Sequence, residues 1–157
     1  MSMIGHLLAV PQAELDALRS APEQINEMLF DTRVEDSLRI EKAWHGIHFL
    51  LTGTVATGTG PLANVIFGRT PVGEDLGYGP ALATDAADVP AIAAALSAIT
   101  DDELRRRFDP DAMDEIYPNI WDEGDDALDY LLGHLQELRT FYRDATANSA
   151  AVITWLG

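Results

Sequence analysis

The sequence predicts a single α+β domain spanning residues 1–157, in which a small sheet is packed by several helices. Three observations carry this. Short apolar runs at the two ends of the chain read as strands, and helical periodicity dominates between them. The third is one long leucine stripe near the C-terminus, the signature of an amphipathic helix laid on a core.

Residues Met3 to Val10 read as the first strand, halted by Pro11, which is well suited to open a helix over Pro11–Arg19 with Leu15 and Leu18 inward. A short second helix follows through Ile25, Met28 and Leu29, and Asp31 to Asp36 reads as a connection. From about Leu38 to Thr52 the pattern is helical, with Gly53 as its C-cap and Trp44, Ile47, His48 and Leu51 on one face. Residues 52–61 are threonine- and glycine-rich and read as a flexible loop. Asn64 to Phe67 suits either a strand or a buried turn, Gly73 to Pro80 a glycine-rich corner, and Ala81 to Thr84 a strand. Val89, Ile92, Leu96 and Ile99 mark an amphipathic helix, and Thr100 with Glu103 forms a capping box for a short helix ending at Phe108. The last helix, about Asp125 to Thr146, buries Leu128, Leu131, Leu132, Leu135, Leu138, Tyr142 and Ala145. Its acids Asp125 and Asp126 suit the positive N-terminal end of the dipole. Val152 to Trp155 closes the chain as a strand.

Composition narrows the function. The chain has 157 residues, 47% hydrophobic and 23% charged, within the globular range. It contains no cysteine, which excludes disulfides, thiolate metal sites and cysteine nucleophiles and suits a reducing cytoplasm. No signal-like start and no membrane-length apolar run occurs, so a cytoplasmic protein without membrane contact is expected. A net charge of −16 and the absence of a basic stripe argue against nucleic acid as a partner and favour a basic protein.

Three constellations are candidates for chemistry. Glu41, His45 and His48, spaced four and three apart on a helix, would share one stripe and could offer a divalent ion two imidazoles and a carboxylate. The commoner role for His48, beside Ile47 and Leu51, is a hydrogen-bonded core histidine. The turn Tyr117-Pro118-Asn119-Ile120-Trp121-Asp122 sets large aromatics beside acids, either to grip a partner or to wedge the loop on the core. Between Asp101 and Asp129, twelve acids against three arginines leave a net −9, over half the charge of the chain. This belt matches no EF-hand, and the chain carries no phosphate loop, dinucleotide fingerprint or Gly-x-Ser-x-Gly elbow.

The opening Met3-Ile4-Gly5, the block Lys42 to Gly53 with its Trp44-His45-Gly46-Ile47-His48 centre, the corner Gly77-Tyr78-Gly79-Pro80 and the turn Tyr117-Pro118-Asn119-Ile120-Trp121 resemble the YfbM-like family of small bacterial proteins. The resemblance implies an α+β fold and brings no established activity. The expectation is therefore a non-enzymatic module without cofactor that binds a basic protein, one concrete version being an immunity-type inhibitor of a bacterial toxin. Its contact residues would come from Trp44, His45, His48, Tyr78, Tyr117, Trp121, Asp122, Asp125 and Asp126. The alternative is a small metal-dependent enzyme centred on Glu41, His45 and His48.

Overall fold

The computed structural model describes residues 2–56 and 58–157; Thr57 of the expected flexible loop lies outside them. Seventeen elements reduce to one five-stranded antiparallel sheet with helices on both faces. The chain runs β1 (Gly5–Pro11), α1 (Gln12–Ser20), a set of tight turns including α2 (Ile25–Glu27), β2 (Leu38–Arg39) and α3 (Trp44–Thr52). There follow β3 (Thr70–Asp75), β4 (Pro80–Thr84), α4 (Val89–Ala98), α5 (Asp101–Arg107), α6 (Asp125–Ala147) and β5 (Ala150–Leu156). Strand order is β2-β1-β5-β4-β3, so the two ends of the chain pair in the middle of the sheet, from Gly5↔Leu156 to Pro11↔Ala150.

Period-two alternation in β1 and β5 feeds two cores at once. Leu7 and Val152 face the larger one, built with α3, α4 and α6. Leu8, Val10, Ile153 and Trp155 face the smaller one, closed by Leu15 and Leu18 of α1 and by Ile25 and Leu29. Both central strands are thus buried on both faces, which explains their near-continuous apolar character. Among the described residues no helix is long and apolar enough to cross a membrane.

The long helix runs as the leucine stripe predicts, and all seven stripe residues are buried. The stripe meets α3 and α4 as well as β5. Arg139 fastens this layer: its guanidinium donates to the carbonyls of Leu96 and Ile99 at the end of α4 and to Asp101 at 2.6 Å. Thr100 caps α5 by accepting the Glu103 N–H at 3.2 Å, as its sequence predicts.

Two expectations are corrected. The helix does not begin at Leu38: Leu38 and Arg39 pair with His6 and Leu7 of β1, and Glu41 has φ +50°, which no right-handed helix contains. A single 3₁₀ turn over Glu41–Ala43 then leads into α3 at Trp44. Thr70–Asp75, read partly as a corner, is edge strand β3; Pro71 and a bulge between Val72 and Asp75 disguise it. Of the two readings of Asn64 to Phe67, the buried turn holds: a 3₁₀ turn over Pro61–Asn64 leads into it, and Val65 is fully buried.

Candidate functional site

The blocks that stand out in the sequence converge on α3. Gly46 lets this helix approach its neighbours: a Cβ there would lie 2.6 Å from Trp121 and 2.8 Å from Leu131, both core side chains. Gly53, at φ +74°, ends the helix with its N–H on the Phe49 carbonyl, as the C-cap pattern predicts. Arg107 of α5 donates to the carbonyls of Leu50 and Leu51, satisfying groups that the helix end leaves open.

Around α3 lies an aromatic cluster. Trp44 stacks on Tyr117 with centroids 5.7 Å apart, and Phe67 meets both Trp44 and His48 edge-on. The Trp44 indole N–H donates to the Met3 carbonyl, and the Met3 N–H donates to the Tyr117 hydroxyl. Three blocks far apart in sequence therefore clamp the chain just before β1. The Tyr117–Pro118 bond is cis, and Asn119 follows at φ +64°.

Both imidazoles are committed to backbone. His45 accepts the Tyr117 N–H on Nδ1 at 3.0 Å and donates from Nε2 to the Val55 carbonyl at 3.0 Å. His48 donates from Nε2 to the Ala56 carbonyl at 2.7 Å and is completely buried. The two bonds of His45 define a ring protonated at Nε2 alone, with no lone pair left for a metal, whereas His48 Nδ1 is buried without a partner among the described residues. Glu41 departs from the stripe assumed for it: it sits before α3 in a left-handed conformation and pairs with Arg39 at 3.5 Å. Among the described residues no group of three or more His, Asp and Glu is placed to hold a metal ion. In place of a metal triad, the two histidines tie residues 55 and 56 to the helix.

Burial is the main cause holding the His48 pKa below the ordinary 6.5; the nearby His45 adds to it and the Ala56 carbonyl opposes it. His6 is lowered too, by burial first and then by Arg39, against Glu41. A depressed folded pKa means that the unfolded chain takes up these protons first as pH falls below 6.5. Their contribution is complete above that value and is lost as pH falls through it toward the folded pKa. Urea midpoints are expected to drop between about pH 7.5 and about pH 5.5, with a shallower drop in His48→Gln, which keeps a donor for Ala56. Equal slopes in the two proteins would remove His48 as a source.

Of the other expected contact residues, Trp44 and Trp121 are core, 5% and 1% exposed, and the Trp121 N–H donates to the Ile116 carbonyl at 2.8 Å. The Tyr-Pro turn is thus a wedge on the core, and neither tryptophan is a surface anchor. Tyr117 and His45 are half-buried within the cluster, whereas Asp122, Asp125 and Asp126 are exposed around the start of α6. Tyr78 stands apart at the β3–β4 hairpin tip, half-buried. Phe67 escaped the sequence reading; a lone aromatic in a short apolar turn carries no periodic signal, although it joins α3 to the sheet end.

The acidic belt is surface. Eleven of its twelve acids are exposed and lack an ion-pair partner among the described residues; Asp101, held by Arg139, is the exception. Elsewhere the balance differs, for seven of the fourteen remaining acids pair with arginine.

Comparison with known proteins adds family and fold. The family described as Domain of unknown function (DUF1877) matches residues 1–155. The crystal structure of a protein of unknown function, YfbM from Escherichia coli, superposes with a TM-score of 0.82 at 23% identity, covering 99% of this chain and 100% of that one. No curated protein matches the chain.

Proposed function

This chain belongs to the DUF1877 family, whose description carries no activity, and we propose from its surface that it is a non-enzymatic module that binds a basic protein. The acidic belt between Asp101 and Asp129 is the contact surface. One observation supports this above the others: eleven of the belt's twelve carboxylates are exposed and unpaired among the described residues, while most paired arginines are spent on acids elsewhere. Unpaired charge of one sign destabilises the compact chain by self-repulsion, so a partner that neutralises it gains what the free protein lacks. Arg105 and Arg106 offset the belt only near α5, whereas Asp122, Glu123, Asp125 and Asp126 crowd the start of α6 with no basic residue among them. An immunity-type inhibitor of a basic bacterial toxin is the concrete version of this reading. The metal-enzyme alternative draws no support from imidazoles that are engaged by backbone.

With the tryptophans in the core, the interaction is steered by charge more than anchored by rings. Association is expected to slow as salt rises, because the Debye length shrinks from about 30 Å at 0.01 M to about 8 Å at 0.15 M. Asp125→Asn with Asp126→Asn should slow association several-fold, at roughly unchanged dissociation. Affinity capture from the native host, followed by binding kinetics across a salt series, tests this. An acidic partner, or an association rate indifferent to salt, overturns it.

A further inference from the structure

We propose that the cleft at one end of the sheet, between Phe67 and the Gly77–Pro80 hairpin tip, binds a small neutral ring-shaped molecule carrying one hydrogen-bonding group. The proposal is independent of the acidic surface.

The cleft is built by strand register. Leu7 of β1 and Leu82 of β4 both lie opposite Thr154 of β5, so the three side chains share one face of the sheet. Ile66, Phe67 and Tyr78 also line it. The cleft is partly open to solvent and its volume is about 180 Å³. That slightly exceeds the roughly 150 Å³ apolar cavity that accommodates benzene in another protein, so one substituted ring fits.

Its chemistry selects against charge. No Asp, Glu, Lys or Arg lines the cleft, and a charged ligand would lose its hydration there without a counter-ion. His6, which also borders it, is kept neutral by burial near physiological pH. One polar group on the floor has little to do. Thr154 is only 4% exposed, and the one hydrogen bond its hydroxyl makes among the described residues goes to the Leu82 carbonyl at 3.5 Å. Good O–H···O bonds fall at roughly 2.5–3.0 Å, and buried hydroxyls are normally satisfied within that range. A ligand carbonyl or hydroxyl supplies a closer partner than the Leu82 carbonyl.

The walls are held in place. Gly77 and Gly79, at φ +116° and +97°, both donate their N–H groups to Asp75 Oδ1, at 2.6 and 3.1 Å, which sets the loop that carries Tyr78. Gly68 lets the Phe67 segment press on β4, since a Cβ there would lie 2.9 Å from the Leu82 backbone. Phe67 is itself braced edge-on by Trp44 and His48. Rigid walls limit the ordering cost of binding.

Titration of the ¹⁵N-labelled protein with acetophenone and ethylbenzene, read by amide shifts, tests the proposal. Saturable shifts at Gly79, Leu82 and Thr154 are expected with both, acetophenone binding about fivefold more tightly through its carbonyl. Thr154→Val should abolish that preference and keep ethylbenzene binding. Leu82→Trp, filling the cleft, should abolish both; if it fails to fold, Tyr78→Ala should weaken both several-fold. No saturable shift in the wild type, a preference that survives Thr154→Val, or benzoate binding as tightly as acetophenone overturns the proposal.

Discussion

Replacing Leu131 by aspartate is expected to leave no cooperatively folded protein at 25 °C. Leu131 is 0% exposed in the middle of the α6 stripe and packs within reach of Gly46 on α3. The substitution removes apolar volume, which alone costs about 2–5 kcal/mol at a core leucine. It also places a carboxylate inside the larger apolar cluster, and an unpaired buried charge costs several kcal/mol more. Together these rival the roughly 5–15 kcal/mol by which such domains are stable. Far-UV circular dichroism on heating checks it. A soluble Leu131→Asp protein that melts cooperatively near the wild-type midpoint would mean that α6 does not pack through this stripe.

Trp121→Ala is expected to destabilise by about 3–5 kcal/mol, the usual range for a large aromatic removed from a core. The ring is 1% exposed, its edge fills the space over Gly46, and its N–H satisfies the Ile116 carbonyl. Trp121→Phe should recover much of the packing but remove one of the two donors to that carbonyl, leaving it the Asn119 N–H at 2.9 Å. Urea titrations of the three proteins separate the two contributions. If Trp121→Ala kept the wild-type midpoint, the turn would be a surface feature and the aromatic-anchor role would return.

Much of this fold was legible because periodicity survives folding unchanged. The leucine stripe of α6, the Val89–Ile99 helix, the Thr100 cap and the Gly53 stop rest on local geometry, so sequence spacing alone determined them. Composition likewise determined where the charge lies, and the acids of the belt are exposed because solvation of a carboxylate needs no partner. What only tertiary structure decided involves choices between groups distant in the chain. Leu38 and Arg39 have a helical pattern but give their backbone to β1. Trp121 and His48 have side chains that suit a binding surface, yet Gly46 makes room for one and the Ala56 carbonyl accepts the Nε2–H hydrogen bond of the other. The cleft has no sequence signature, for Leu7, Phe67, Tyr78 and Thr154 meet only because the two ends of the chain pair at the centre of the sheet. Burial and hydrogen-bond partnership are properties of such meetings, and no local pattern encodes them.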